Sequence, residues 1–215
     1  MLKSSQLLVI ILCNGARGRL SERSCLKFET ETFIYMRRFW ERYSYDSVHL
    51  FLNQIAIGLF GITLSLAAGM AESPQLRVIT SVFAVLFFLM LQYSAMWKVG
   101  ANDRLADDLG KMQVNYSVPF KMWLLANALN LLLAIFIALG HWFSDVSAFS
   151  SIGGVAAAIK LVIEGMYTGL LAIKVGGGPL NSYWFMHFVT PLPALAVCYV
   201  AYLAGSKNFK VFGKK

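Results

Sequence analysis

Polarity along this chain changes in long blocks. Apolar stretches run over 50–71, 78–97, 122–140, 151–173 and 183–204, separated by short segments rich in charge, Gly or Pro. At 1.5 Å per residue, a helix over any of them is about long enough to cross a hydrocarbon layer of roughly 30 Å. The pattern predicts an all-α membrane protein, a bundle of five transmembrane helices. Pro74 marks the turn that makes a hairpin of the first two spans, Pro119 precedes the third, and the run Gly176–Pro179 ends the fourth. Pro191 and Pro193 lie inside the fifth and predict a kink there.

Within these blocks the polar and small residues fall on faces. In the first span Gln54, Gly58, Gly61, Ser65 and Ala68 recur at helical spacing, a stripe on which a neighbouring helix can approach closely. In the third, Asn127, Asn130, Ala134 and Ala138 share one face, which predicts interhelical hydrogen bonds or the lining of a polar cavity. The fourth is the most unusual. At 100° per residue, Gly153, Ala156, Ala157, Lys160, Glu164, Tyr167 and Leu171 cluster on one side and Gly154, Ala158, Gly165 and Gly169 on the other, so both faces are expected to meet protein. Gly165 and Gly169 form a GxxxG step and, with Gly58 and Gly61, are the expected helix-packing residues.

Composition agrees with the blocks. With 58% hydrophobic and 14% charged residues and a mean hydropathy of +0.61, the chain is too apolar for a soluble domain. The net charge of +8 comes from Lys and Arg at the ends of apolar segments, not from a basic stripe with interleaved aromatics, so no nucleic-acid partner is expected. Arg37, Arg38 and Arg42 precede the first span, and Lys98, Arg104, Lys111 and Lys121 lie between the second and third. The positive-inside rule puts both regions, and so the N-terminus, in the cytoplasm. The tail conflicts with this scheme. It carries Lys207, Lys210, Lys214 and Lys215, yet five complete crossings place it outside. The conflict disappears if one of the last two segments is incomplete or re-entrant.

Candidate chemistry is sparse. Lys160 and Glu164 stand one helical turn apart inside a span, where ionisable groups are costly and need a partner or a purpose. Two readings stand: a buried structural ion pair, or a proton- or cation-binding Glu164 in a watered cavity with Lys160 as its counter-ion. His187, beside Tyr183 and Trp184, reads as an interfacial anchor or as a proton relay. Asp103, Asp107 and Asp108 are interspersed with Arg104 and Lys111 and read as a solvated loop or short amphipathic helix, with no metal-ligand spacing. Cys13, Cys25 and Cys198 follow no disulfide or zinc pattern and are expected as free thiols. HExxH, GxSxG, Walker A and CxxC motifs are missing, and neither catalytic residues nor a cofactor is expected.

The N-terminal region is organised differently. The apolar run Leu7–Leu12 is too short to span and has no small-residue cleavage site. Residues 1–35 are expected to be a start-site extension or disordered, residues 36–49 a basic and aromatic interfacial segment, 50–205 the bundle, and 206–215 a basic tail. The stretch Arg42-Tyr-Ser-Tyr-Asp-Ser-Val-His-Leu-Phe-Leu-Asn-Gln-Ile-Ala-Ile-Gly-Leu-Phe-Gly61, the loop Trp97-Lys-Val-Gly-Ala-Asn-Asp103 and Thr190-Pro-Leu-Pro-Ala194 resemble small uncharacterised multi-pass membrane proteins of Gram-positive bacteria. That resemblance covers about Met36 to the C-terminus, implies a cytoplasmic-membrane location and a start near Met36, and carries no activity. The expected role is a non-enzymatic, transport-related or accessory component of the cell membrane whose partner is the lipid bilayer. The alternatives are a structural subunit that binds a membrane protein or a second copy of itself, and, further off, an intramembrane enzyme.

Overall fold

The computed structural model describes residues 22–175 and 177–207, with side chains from Met36 onward. The expectations for residues 1–21, for Cys13 and Cys25 and for the tail lysines Lys210, Lys214 and Lys215 lie outside the described residues. The chain divides into residues 1–44 and 45–215. In the first unit an exposed Arg37–Glu41 ion pair spans one helical turn at 2.8 Å and Arg42 lies 5.6 Å above the ring of Tyr43. The packing and sites described below lie in the second unit.

The described residues are almost entirely helical. The α-helices are α1 (Glu22–Met70), α2 (Pro74–Asp108), α3 (Val118–Trp142), α4 (Ser147–Ile163), α5 (Thr168–Leu171), α6 (Met186–Val189) and α7 (Leu192–Ser206). A two-stranded antiparallel hairpin, β1 (Lys174–Val175) with β2 (Gly178–Pro179), lies between α5 and α6. Four helices are long and apolar enough to cross a membrane: Met36–Met70, Pro74–Asp108, Val118–Trp142 and Met186–Ser206. The last includes α6 and α7, which Thr190 and Pro191 separate.

The core holds apolar Leu50, Phe88, Met96, Met122 and Tyr202, but burial otherwise differs from that of a protein folded in water. Ser47, Gln54, Ser65, Ser81, Gln92, Asn127 and Asn130 are buried, whereas Leu59, Phe60, Phe83, Leu86, Phe87, Leu132 and Ile135 are exposed. An apolar solvent allows this arrangement, because large side chains gain nothing there by leaving the surface and small or polar ones gain contacts and hydrogen bonds inside.

Local sequence explains the turns. Ser73 caps α2, its Oγ accepting a hydrogen bond from the Leu76 amide at 3.3 Å, and Pro74 sits in the first turn, where its missing N–H costs nothing. α2 does not stop at Trp97 as hydropathy suggests but continues to Asp108. Asp103 is therefore not part of a solvated loop. It is 1% exposed and accepts a 2.9 Å hydrogen bond from the Tyr202 hydroxyl of α7. The helical repeat carries Val99, Gly100 and Asp103 onto the face that meets α7, and side-chain pairing satisfies the acid there. The expected solvated character belongs to Asp107 and Asp108, both exposed.

The fourth apolar segment departs most from expectation. Instead of one straight helix over 151–173, α4 ends at Ile163 and the chain turns by 87° into the 3₁₀ turn Gly165–Tyr167 and α5. Along the incoming arm Gly153 packs on Gly140 near the end of α3. At the bend Gly165 lies on the Gly58 carbonyl and Ile62, and Gly61 lies on Met166. Along the outgoing arm Gly169 lies on the Arg77 carbonyl and Ser81, and Ile173 and Lys174 reach the cavity beside Gly69 and Glu72. These contacts climb α1 towards its turn into α2. Beyond the segment, Tyr183 Oη donates to the Val175 carbonyl at 3.0 Å and Trp184 meets Trp142, the last residue of α3, edge to face at 5.3 Å.

The bend also overturns the expectation that both faces of α4 meet protein. Gly154 and Ala158 are exposed, and nothing lies within 4 Å of where a Cβ on Gly154 would stand. A straight projection puts them in line with Gly165 and Gly169, but the turn at Glu164 sends that stripe in another direction.

Candidate functional site

Lys160 and Glu164 lie at the bend. Lys160 is in the last turn of α4, and Glu164 is the residue at which the helix ends, its amide still bonded to the Lys160 carbonyl at 2.8 Å. Lys160 Nζ stands 2.8 Å from Glu164 Oε1, and both side chains are 3% exposed. Glu164 Oε2 accepts a 2.6 Å hydrogen bond from the Thr190 hydroxyl at the α6–α7 break. The carboxylate thus joins the bent segment to the last span.

The site is under-partnered. An ammonium brings three donors, and among the described residues Lys160 has Glu164 alone. The Tyr167 hydroxyl and His187 Nδ1 are buried and, among the described residues, have no hydrogen-bond partner. A cavity of about 280 Å³ adjoins the ion pair, lined by Lys160, Glu164, Thr168, Asn181 and His187 with Ala157, Leu161 and Leu171. The lining is mainly apolar, but its polar side chains and its volume offer water both partners and room.

Of the residues singled out from the sequence, Lys160, Glu164 and His187 share this cavity. His187 is buried on α6, while the neighbouring Trp184 makes the aromatic contacts with Trp142 and with Phe188 at 6.3 Å. Asn127 and Asn130 belong to a second network. Asn127 Oδ1 accepts from Gln54 Nε2 at 3.4 Å and from Asn130 Nδ2 at 3.3 Å, and Asn127 Nδ2 donates to the Trp123 carbonyl at 3.0 Å. Trp123 Nε1 in turn donates to the Pro191 carbonyl at 3.0 Å. The two networks meet at one place in the chain, Thr190 and Pro191.

Thr190 escapes sequence reasoning because a hydroxyl before a proline reads as turn chemistry. Tyr167 was on the right face but is silent as a tyrosine in an apolar run. The packing glycines Gly58, Gly61, Gly165 and Gly169 are all covered by other elements of this same chain. Among the described residues no three His, Cys, Asp or Glu side chains gather as a metal site, and Cys198 is a buried free thiol on α7.

No protein-family model, no curated protein and no solved structure matches this chain. Fold and site therefore define a class: an all-helical protein with four helices fit to cross a bilayer and a bent segment that turns at a buried Lys–Glu pair.

Proposed function

We propose that the chain is an integral protein of the cytoplasmic membrane that crosses it four times, with the segment 147–171 re-entrant, and that it acts as a non-enzymatic, transport-related component. Glu164, at the tip of that segment, binds a proton or small cation, and Lys160 supplies the counter-charge when the carboxylate is empty.

The observation that carries this reading is the incompletely partnered Lys160–Glu164 pair at an 87° break beside a cavity that Thr168, Asn181 and His187 also line. Non-helical backbone at membrane depth is tolerated only when covered by protein or lining water, and broken helices place their ends where transporters hold ions. A purely structural pair has no need of a cavity or of unpaired donors beside it. The contacts of the outgoing arm with the α1–α2 turn favour re-entry over a fifth crossing. The partner-binding alternative is weakened because the glycine surfaces it would use are occupied within the chain.

The test is accessibility. In a chain with Cys13, Cys25 and Cys198 replaced, Lys160→Cys and Glu164→Cys are each exposed to a membrane-impermeant thiol reagent in sealed cells. Labelling from outside is expected, because Asn181 lines the cavity next to the β-hairpin where the segment leaves the bundle. If neither position reacts in folded protein from either face, the hydrated site does not exist.

A further inference from the structure

The turn between α1 and α2 carries charged side chains that the Lys160 site does not use. A cavity of about 960 Å³ separates this turn from the exit of the bent segment, and Glu72, Arg77 and Lys174 line it together with apolar Val78, Ile79, Ala172 and Ile173. Among the described residues none of these three charged side chains is ion-paired, and Arg77 Nε is shielded from solvent without a hydrogen-bond partner. A guanidinium in that state lacks the acceptor its planar fork is built for. Gly69 gives it room, since a Cβ there would stand 3.0 Å from Arg77 Nη2. Glu72 holds a left-handed backbone, φ 51°, which glycine adopts more easily, so the turn accepts strain where a carboxylate meets the cavity.

We propose that this cavity binds the headgroup of an anionic phospholipid in the outer leaflet. Arg77 and Lys174 take the phosphate, and the acyl chain runs along Val78, Ile79 and Ile173. A free phosphate would use the cations and leave the apolar wall empty, whereas a lipid fills both. Glu72 repels a second negative charge and favours a headgroup with hydroxyl donors, which selects a phosphatidylglycerol-like lipid. Because Ile173 and Lys174 belong to the outgoing arm, bound lipid would fasten that arm to the α1–α2 turn. The inference rests on the membrane reading above but not on the role of Glu164.

The experiment is a lipid titration of the full chain in a neutral maltoside detergent, read as the thermal unfolding midpoint. Phosphatidylglycerol is expected to raise the midpoint, and phosphatidylcholine and inorganic phosphate are not. Arg77→Gln and Lys174→Gln should each weaken apparent phosphatidylglycerol binding by about tenfold, the worth of a charge-assisted contact. Lys98→Gln and Lys207→Gln, basic positions elsewhere, should leave it unchanged. Lys174 is exposed, so its variant carries the test if Arg77→Gln does not fold. Equal losses in all four variants would mean general attraction to a basic protein, equal stabilisation by inorganic phosphate would mean a soluble ligand, and unchanged binding in both cavity variants would mean no site; each result overturns the proposal. Release of the protein from membranes by alkaline carbonate would instead overturn the membrane reading itself.

Discussion

Lys160 is buried with one partner, and the cost of removing either member of the pair follows from that geometry. Lys160→Met leaves Glu164 with the Thr190 hydroxyl as its only described partner, and breaking a buried pair from one side costs about 3–5 kcal/mol. The double variant Lys160→Met with Glu164→Leu removes both charges and should recover most of that loss. Thermal unfolding in detergent checks the order, and a double variant no more stable than the single one would argue against the ion pair as described. Thr190→Val removes a hydroxyl that bonds to a carboxylate and should cost about 1–3 kcal/mol. At this scale the sequence was partly legible. Charges inside an apolar run are visible whatever the fold, so Lys160 and Glu164 could be found without coordinates. Thr190 and Asp103 could not, because each owes its role to a residue distant along the chain, Glu164 and Tyr202 respectively.

Elements are where the sequence misled, and the reason is geometric. A projection at 100° per residue assumes a straight helix, so it placed Gly154, Ala158, Gly165 and Gly169 on one stripe. The chain breaks that stripe at Glu164, where the residue that follows is Gly165, a poor helix former. Bending frees the second half to lay its glycines on α1 and α2 while the first half packs on α3. Substitutions separate the halves. A Cβ at Gly165 or Gly169 would press on backbone atoms of Gly58 and Arg77 respectively, which cannot yield as a flexible side chain does. Gly165→Val and Gly169→Val are therefore expected to abolish recovery of monodisperse protein by size-exclusion chromatography. Gly154→Val meets nothing within 4 Å and should elute as the native chain does. Similar behaviour of all three variants would favour the straight helix of the sequence reading over the bend.

For the bundle, the count of crossings and the charge of the tail bear on each other. Five crossings from a cytoplasmic start leave Lys207 and the lysines after it outside, against the positive-inside rule. Four crossings with a re-entrant fourth segment return the tail to the side of Lys98, Arg104, Lys111 and Lys121. Packing at the other end of α7 points the same way, since Gly205 and Tyr202 meet Trp97, Gly100 and Asp103 in the last third of α2, the stretch that also carries Lys98 and Arg104. The bend could not be located from hydropathy, because an apolar segment that enters and leaves on one side has the same composition as one that passes through. Its traces in the sequence were the misplaced charge of the tail and the charged pair beside Gly165, neither of which fixes a bend by itself. Single cysteines at Gln75, Lys111, Lys174 and Lys207 in a cysteine-free chain decide between the two counts. In sealed, right-side-out cells an impermeant thiol reagent should modify the cysteines at 75 and 174, and should reach those at 111 and 207 only after the membrane is opened. With five crossings the cysteine at 207 would react in intact cells alongside that at 75, and Lys160 and Glu164 would sit at a bend within a complete span.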